Sequence, residues 1–352
     1  MDYSEFLARK ARRVSESGIT VHPRDLHPFL HPWQRDVVAW ALRVGRAAMW
    51  EDTGLGKTVQ QVEWAGQIGG RSLIVAPLAV CQQTIREGRK VGADIRYVRH
   101  GDDITDDGLW ITNFEMVPHF DPSLLRSVVL DEASILKNSD GKTRAMLIRH
   151  FADVPYRLAC TATPAPNDPE ELTNQAEFLG HMTRTHMLAA YFVHDQDGWR
   201  LKGHARRPML QWMSTWAVAI RKPSDVGGDD TGYDLPGLDI VPEVVPYDVV
   251  PEGQLFATDL GGVGGRAKVR RETLDARVQR AVDLVAAEPD EPWLLWCGLN
   301  DEADELARRI PGAVNVHGSL TPDEKAAHLL GFADGTIRTL IKIGRASCRE
   351  RV

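Results

Sequence analysis

From residue 29 onward, short apolar runs alternate with stretches whose apolar residues recur every three or four positions. The runs that predict strands span residues 47–50, 72–76, 109–112, 127–130 and 157–161. Helical patterns fall between several of them, for example TVQQVEWAGQIG and LAVCQQTIREGRK. Because strands that alternate with helices build parallel sheets with helices on both faces, the predicted fold class is α/β.

A second α/β pattern follows later in the chain. It opens with the helical stretch KVRRETLDARVQRAVDLVAAE and continues as PWLLWCG, NDEADELARRI, AVNVHG, TPDEKAAHLLGFA and TIRTLI, alternately strand and helix. Between the two patterns, residues 181–222 are predicted to be helical and are locally basic. Residues 223–265 are rich in aspartate, proline and glycine, which is typical of an extended linker.

Composition narrows the class of protein. Hydrophobic residues make up 43% of the 352 and charged residues 26%, which is typical of a globular protein. No apolar run reaches the roughly 18 residues of a membrane helix, and the N-terminus lacks the apolar core of an export signal. The four cysteines are scattered without a CxxC pair, so we expect no structural metal, no disulfide framework and a reducing cytoplasm. The net charge of -7 offers no general attraction for nucleic acid, so any such binding must be local.

The segment MWEDTGLGKTVQ predicts a phosphate-binding loop between a strand and a helix. Gly54 and Gly56 allow the backbone to turn its N–H groups toward phosphate oxygens, Lys57 suits the β- and γ-phosphates, and Thr58 suits Mg²⁺. The first glycine of the GxxxxGK[ST] pattern is missing, and Glu51 stands in its place. The structural alternative is a glycine-rich turn without a ligand.

The segment SVVLDEASILKN places two acidic residues at the end of an apolar strand, where ligands bind in open α/β sheets. Asp131 is a candidate for the Mg²⁺ shell, and Glu132 for the base that orients and deprotonates water. An acidic pair in this position is often only a helix cap. Its place about 75 residues after the phosphate loop favours the catalytic interpretation.

A third segment, LACTATPAPND, ends another strand at Thr161 and Thr163. Pro164 and Pro166 prevent a helix from beginning at once. By itself this segment predicts only a turn.

Taken together, the three segments resemble a known motif series. The order HPWQRDVVAW, EDTGLGKT, SLIVAPLAV, LWITNFEM, VVLDEASILKN and RLACTATPAPNDPEELTNQAEFLG is similar to that of superfamily 2 helicases. The likeness is to the Swi/Snf-type branch, in particular to DEAD/DEAH-like proteins of bacteriophages and prophages, and it covers residues 29–341. It implies two RecA-like parallel-sheet lobes in tandem, ATP and Mg²⁺ as ligands, and a nucleic acid as partner.

The resemblance also implies a domain organisation. Residues 1–28 form an N-terminal polar segment, and residues 29–222 form the first lobe with a helical insertion near 181–222. Residues 223–275 are a linker, and residues 276–341 are a partial second lobe.

Roles of individual residues follow from matching positions in the family. Gln34 would read the adenine edge with Trp33 beside it, although a glutamine at the start of an amphipathic helix is the simpler alternative. The full implied nucleotide set is Trp33, Gln34, Thr53, Gly54, Leu55, Gly56, Lys57 and Thr58. Catalysis is assigned to Lys57, Asp131 and Glu132, and the metal to Thr58 and Asp131.

The coupling of nucleotide state to domain closure is assigned by the resemblance to Thr161 and Thr163. Contacts with the nucleic-acid backbone are assigned to Pro77, Leu78, Asn113, Pro164 and Asn167, each of which also has a structural alternative. The acidic box is DEAS rather than DEAD or DEAH, so coupling through its fourth residue, Ser134, is in doubt.

The resulting expectation is a cytoplasmic ATPase that moves on nucleic acid, with translocation on double-stranded DNA favoured over strand separation. The sequence does not decide whether the nucleic acid is DNA or RNA. A small-molecule kinase would not need the second α/β unit, and a GTPase should carry an N-K-x-D base reader, which the sequence lacks. The remaining alternative is a non-catalytic or ATP-only phosphate-loop module that binds nucleic acid.

The last residues raise a separate question. The family's fifth and sixth motifs, with their arginine fingers, do not follow TLI, so the second lobe is expected to be interrupted, with an unpaired sheet edge and exposed apolar surface. Residues 342–352 are expected to be a non-native tail, because IGRASCRERV can be back-translated into a common sequencing-adapter end. A genuine short basic tail is the alternative. A chain interrupted in this way should bind ATP weakly and hydrolyse it poorly.

Overall fold

The computed structural model describes residues 13–137, 141–196, 198–233, 237–245 and 272–343. The chain divides into two compact units, residues 1–235 and residues 236–352. Within the described ranges, no helix is both long and apolar enough to cross a membrane.

The first unit is built on a seven-stranded sheet in which every pair of neighbours is parallel. Its strands are β1 (Arg46–Glu51), β2 (Arg71–Ala76), β3 (Ile95–Tyr97), β4 (Gly108–Asn113), β5 (Ser127–Asp131), β6 (Tyr156–Thr161) and β9 (Ala217–Ile220). They lie in the order β3-β4-β2-β5-β6-β1-β9. The inner strands are buried along almost their whole length, as expected when helices cover both faces of a parallel sheet.

The helices of this unit supply the two covering layers. They are α1 (Pro32–Val44), α2 (Lys57–Ile68), α3 (Leu78–Gly88), α4 (Lys142–His150), α5 (Leu172–Phe178), α6 (Arg184–Tyr191) and α7 (Arg206–Met213). Trp64, Phe151, Phe178 and Trp216 are the largest fully buried side chains of one continuous core. Helix α1 buries its apolar stripe, including Val38 and Leu42, so the segment that precedes the phosphate loop is fixed against the sheet.

Three neighbouring strands end at one edge of this sheet. In the register, Trp50 of β1 lies opposite Thr161 of β6, and Asp131 of β5 lies opposite Cys160 of β6. The carboxyl ends of β1, β6 and β5 therefore meet side by side, where open parallel sheets bind ligands. The five strands and two helices predicted between residues 47 and 161 are confirmed.

Residues 181–222 differ from their predicted helical state. Helices α6 and α7 are present, but β7 (Phe192–Asp195) and β8 (Gly198–Leu201) form an antiparallel hairpin, and β9 joins the main sheet beside β1. The apolar run of β9 is only four residues long, too short to show a period, and its pairing with β1 determines its state. The short β3 was also not predicted.

Residues 223–233, predicted as the start of the linker, pack on the first unit. Tyr233 contacts the ring of Trp33 edge to face at 6.1 Å between centroids. A Cβ on Gly228 would lie 2.8 Å from Trp33 Cδ1, so this backbone passes directly over the indole. Of the rest of the predicted linker, residues 237–245 and 272–275 lie within the described ranges and the others lie outside them.

The second unit contains a three-stranded parallel sheet in the order β10-β12-β11. Its elements are α8 (Leu274–Ala287), β10 (Trp293–Cys297), α9 (Asn300–Arg309), β11 (Val314–Val316), α10 (Pro322–Ala333) and β12 (Thr339–Ile343). These confirm the predicted sequence of strands and helices. Helices α8 and α9 pack on one face through a core that includes Val278, Leu306 and Ile341.

No described helix covers the other face of β10, where Lys342 Nζ lies 5.2 Å from the centroid of the Trp296 ring. Leu294 is 43% exposed and Trp296 is 62% exposed, so exposed apolar surface is present on this sheet as predicted. Of the predicted tail, Lys342 and Ile343 are the last residues of β12 and pair with β10, and residues 344–352 lie outside the described residues.

Candidate functional site

The phosphate loop spans residues 52–56 between the end of β1 and the start of α2. Gly54 and Gly56 both have positive φ, 85° and 77°, a conformation that glycine adopts without strain. A Cβ on Gly56 would lie 2.7 Å from Gln34 Nε2, so close packing requires glycine here as well. The free N–H groups of the first turn of α2 point out of the helix at this loop and suit an anion.

Lys57 is the first residue of α2 and is half-buried. Its Nζ donates to the carbonyl oxygen of Glu51 at 2.7 Å and to that of Asp52 at 2.9 Å, so the ammonium group lies inside the curve of the loop. Thr58 follows in the first turn of α2, half-buried, and Thr53 is exposed in the loop. The backbone N–H of Thr53 donates to Asp52 Oδ1 at 2.8 Å, which closes the turn.

Gln34 of α1 contacts the loop directly. Its Nε2 donates to the Leu55 carbonyl at 2.8 Å, and its Oε1 accepts from the His31 N–H at 2.8 Å. Leu55 itself is buried beneath the loop. Trp33 has a different environment, because its buried ring packs against Tyr233 and Gly228. Of the two residues predicted to meet the nucleotide base, only Gln34 bonds to the phosphate loop.

The two acidic residues predicted for catalysis lie at the end of β5. Asp131 is 9% exposed, and burial raises the pKa of its carboxyl, while the Gln61 amide and the Lys57 ammonium group act in the opposite direction. Helix α2, which begins at Lys57, contacts β5, whose last residue is Asp131, so Asp131 lies near the phosphate loop. Carboxylate and hydroxyl oxygens are the ligands that Mg²⁺ prefers, so Asp131 and Thr58 fit the predicted metal site.

Glu132 adopts a conformation that other residues avoid. Its φ is 63°, and no other non-glycine residue in the described ranges has a positive φ. Glu132 Oε1 accepts a hydrogen bond from Thr161 Oγ1 at 2.9 Å and from Ser134 Oγ at 2.6 Å. Left-handed backbone in a non-glycine residue costs of order 1 to 3 kcal/mol and occurs preferentially at functional sites. The two hydroxyl groups hold the carboxylate in this strained position.

Thr161 connects the acidic box with the next loop. Its hydroxyl donates to Glu132 and accepts from the backbone N–H of Thr163 at 3.1 Å. Thr161 is fully buried, whereas Thr163 is exposed. Ser134, whose short side chain put coupling in doubt, thus bonds to the same carboxylate oxygen as Thr161.

In the sequence, Glu51 stands out only because it replaces the first glycine of the phosphate-loop pattern, and that pattern gives the residue no role. The carboxyl is fully buried, Oε2 accepts from Gln60 Nε2 at 2.7 Å, and Oε1 has no hydrogen-bond partner among the described residues. Burial raises the pKa of Glu51 to about 7, and the Gln60 hydrogen bond and the nearby Lys57 charge limit the rise. Gln60 also donates to the Leu55 carbonyl at 3.2 Å, so it links Glu51 to the loop.

The residues predicted to touch nucleic acid form two groups along the same sheet edge. Pro77 and Leu78 begin α3 at the end of β2, next to Asn113 at the end of β4. The amide of Asn113 is already engaged, since it accepts from the Tyr97 hydroxyl at 3.0 Å and donates to Glu115 at 2.5 Å.

The second group lies in the loop after β6. The Pro164 carbonyl accepts from Gln175 Nε2 at 3.0 Å, and Asn167 Nδ2 donates to Glu171 Oε1 at 2.7 Å. Asn167 is exposed, so its held position still faces solvent.

Comparisons with known proteins give a family match and similar solved structures. Residues 33–187 match the family model of the SNF2-related domain, a segment that holds Gln34, the phosphate loop, the acidic box and Thr161. The solved SWI2/SNF2 ATPase core of Sulfolobus solfataricus, in complex with dsDNA, is similar at 14% identity over 93% of this chain and 80% of that chain, with a TM-score of 0.51. The UvsW helicase from bacteriophage T4 is 16% identical over 51% of this chain and 64% of that chain, with a TM-score of 0.36. No curated protein sequence gives a significant match.

The match to the SNF2-related domain confirms the predicted resemblance to the Swi/Snf-type branch for residues 33–187. The predicted fold class is confirmed too, since the sheets of seven and three strands match RecA-like lobes, the second being the smaller.

Proposed function

We propose that this protein is an ATP-dependent motor of the Swi/Snf type, which hydrolyses ATP and uses the energy to move along double-stranded DNA. One observation carries the proposal. Thr161 bonds to Glu132 from the neighbouring strand, so the candidate base and the candidate coupling residue form one unit at the sheet edge that also holds Lys57.

The nucleotide-binding part of the proposal rests on the loop. The N–H groups around Gly54 and Gly56 and the ammonium group of Lys57 provide the positive potential that a triphosphate needs. Gln34, whose side chain is fixed by its bond to the Leu55 carbonyl, would read the adenine edge. Thr58 and Asp131 would hold Mg²⁺, which neutralises charge on the phosphate oxygens.

Glu132 has the chemistry of the general base. Within the described ranges, both hydrogen bonds of the Glu132 side chain use Oε1, so Oε2 can accept the proton of an attacking water. Because Thr161 and Ser134 fix the carboxylate, the base does not have to reorganise at the moment of reaction.

The coupling part follows the same hydrogen bonds. Thr161 lies between Glu132 and the loop that carries Thr163, Pro164 and Asn167. A displacement of that loop by a bound DNA backbone changes the position of Thr161 and hence of Glu132. Pro77, Leu78 and Asn113 extend the proposed contact surface along the sheet edge.

The test is ATP hydrolysis under single-turnover conditions, with enzyme in excess so that slow turnover is detected, with and without duplex DNA. Duplex DNA should stimulate the wild type. Glu132→Gln keeps an acceptor for Thr161 but removes the base, so hydrolysis should fall by about 10² to 10⁴-fold while ATP still binds. Lys57→Ala should lose both binding and hydrolysis. Hydrolysis that ignores every nucleic acid, or that survives Glu132→Gln, contradicts the proposal.

A further inference from the structure

The hairpin of β7 and β8 belongs to none of the motifs above. His194 pairs with Trp199 across the two strands, with ring centroids 4.9 Å apart, and Val193 pairs with Arg200. The first pair points to one face of the hairpin and the second pair to the other. Val193 and Trp199 are each 37% exposed, and His194 and Arg200 are exposed as well. Solvent therefore reaches both faces at the end of the hairpin.

The base of the hairpin is fixed to the first unit. Phe192 is buried in the core, and Tyr191 stacks on Trp212 at 6.0 Å between centroids. Lys202 donates through its backbone N–H to the Tyr191 carbonyl at 3.0 Å and through Nζ to the Ala189 carbonyl at 2.9 Å. A two-stranded hairpin is only marginally stable alone, so this anchoring holds the projecting end in place.

The residues that follow the turn are strongly basic. The ten residues 198–207 contain Arg200, Lys202, Arg206 and Arg207 and no aspartate or glutamate, in a chain whose net charge is -7. Arg200 is paired with Asp195 at 3.2 Å, and Lys202 caps the end of α6. Arg206 and Arg207 are exposed and form no ion pair within the described ranges.

Arg206 and Arg207 do not serve the stability of their own helix. They occupy its first turn, where a positive charge is opposed by the helix dipole at a cost of roughly 0.3 to 1 kcal/mol. An external anion would remove this cost. The pair therefore has the character of a binding feature.

The position of the hairpin, close to the loop assigned to DNA contact, indicates which anion it would bind. Strand β8 contacts the turn Pro169–Glu171, which follows the loop of Pro164 and Asn167. Arg184 of α6 bonds to Glu170 at 3.3 Å and to Thr173 Oγ1 at 2.9 Å, which ties the segment leading into the hairpin to the same turn. The hairpin thus stands beside the loop assigned to DNA contact.

We propose that the hairpin of β7 and β8, with the first turn of α7, is a second contact surface for the sugar–phosphate backbone of double-stranded DNA. Arg206 and Arg207 neutralise phosphates, and Trp199 with His194 provides an apolar contact to deoxyribose. The inference rests on the proposed function, and it adds a surface that enlarges the grip on the duplex without taking part in hydrolysis.

The test measures binding of the full chain to a 25-base-pair duplex by fluorescence anisotropy, over a range of salt concentrations. Each neutralised phosphate contributes about 0.9 to the slope of log K against log salt, so R206Q/R207Q should reduce the slope by about 1.8. At 0.1 M salt this corresponds to a loss of about 60-fold in affinity. Trp199→Ala should weaken binding without changing the slope.

The matched control is R89Q/K90Q. This adjacent exposed basic pair precedes β3, an edge strand of the main sheet, and Lys90 is already paired with Glu87 at 2.7 Å, so the slope should be unchanged. Hydrolysis of ATP without DNA should be the same in all variants. The thermal melting temperature of R206Q/R207Q should not fall, because the substitutions remove positive charge that the helix dipole opposes in the first turn of α7.

Three outcomes overturn the inference. If wild type binds the duplex and R206Q/R207Q keeps the full slope, the second surface is wrong and the proposed function is unaffected. If R206Q/R207Q loses affinity for single strands but not for the duplex, the surface serves a different nucleic acid. If wild type binds no duplex at all, the proposed function fails as well.

Discussion

The two units differ in which side chains depart from the usual pattern of buried apolar and exposed polar residues. The first buries polar side chains, among them Glu51, Gln60, Gln61 and Asp131, beneath the ends of its strands. The second exposes the apolar side chains of Leu294 and Trp296 on one face of β10. Buried polar groups and exposed large apolar groups are the two observations that carry information about function.

Buried polar side chains and exposed apolar side chains differ in what they cost the free energy of folding. A carboxyl that is buried in the folded protein loses water that it keeps in the unfolded chain, so folding itself bears the cost. An apolar side chain that is exposed in both states costs folding almost nothing. Hydrogen bonds in the first unit therefore have to offset the desolvation cost of its buried polar side chains. The exposed face of β10 carries no such cost.

The largest effect is expected at Glu51. The ordinary pKa of 4.5 is raised to about 7 in the folded state, so the folded protein binds more protons than the unfolded chain between these values. The free energy of unfolding should therefore fall as pH rises from 4.5 to 7, by about 3 kcal/mol in total. Glu51→Gln removes this loss, so the variant should gain stability over wild type as pH rises. Urea unfolding at pH 5, 6, 7 and 8, followed by circular dichroism, measures the gap.

Two titratable neighbours of Glu51 also bear on the pH dependence of stability. Lys57 opposes the rise in the pKa of Glu51, and the buried Cys160 nearby has its own pKa raised well above the usual range, mainly by burial. Glu16→Gln, which removes an exposed carboxyl, controls for the loss of one charge. Stability curves of wild type and Glu51→Gln that run parallel from pH 5 to 8 would show that the burial of Glu51 costs nothing.

A smaller effect is expected at the two hydroxyl groups that bond to Glu132, the candidate general base. Thr161→Val and Ser134→Ala each remove one hydroxyl donor from Glu132 Oε1. A hydrogen bond to a charged group contributes about 1.5 to 3 kcal/mol, so kcat should fall by roughly 10- to 100-fold for each variant. The affinity for ATP should hardly change, because the phosphate loop is untouched. Single-turnover rates and nucleotide titrations separate the two quantities.

Thr112→Val is the matched control for Thr161→Val. Thr112 is equally buried, and its hydroxyl donates to the Val98 carbonyl at 2.7 Å, on β4 and away from Glu132. It should lower stability to a similar degree and leave kcat alone. Unchanged hydrolysis in Thr161→Val would mean that the strained Glu132 needs no hydroxyl to hold it.

The sequence predicted the part of this edge that depends on local pattern. The strands ending at Glu51, Asp131 and Thr161 contain the apolar runs 47–50, 128–130 and 158–160, and the glycines of the loop predict its backbone conformation. Pattern could not show that Ser134 and Thr161 bond to one oxygen of Glu132, because those residues are brought together by strand order. The buried state of Glu51 has the same origin, since a residue after an apolar strand is as often exposed.

The missed elements share a second cause. Residues 217–220 form a strand only because β1 offers them a free edge, and the hairpin of β7 and β8 depends on Phe192 and Tyr191 finding a core. In both segments the apolar runs are short and lie among basic residues, so the sequence pattern favours neither a helix nor a strand. The hairpin did carry a local signal, because Gly198 with its positive φ of 112° opens β8 between β-branched and aromatic residues.

The smallest effect is expected on the open face of β10, where two adjacent leucines provide a matched pair. Leu295 packs against the core formed with α8 and α9, whereas Leu294 points to the uncovered face and is 43% exposed. Leu295→Ala should lower the free energy of unfolding by about 2 kcal/mol, because a partly buried side chain loses its packing. Leu294→Ala should change it by no more than about 0.5 kcal/mol. Hydrogen exchange at the amides of β10 measures both values in the full chain. Equal losses in the two variants would show that the face of Leu294 is covered in solution, and the contrast between the two units would then disappear.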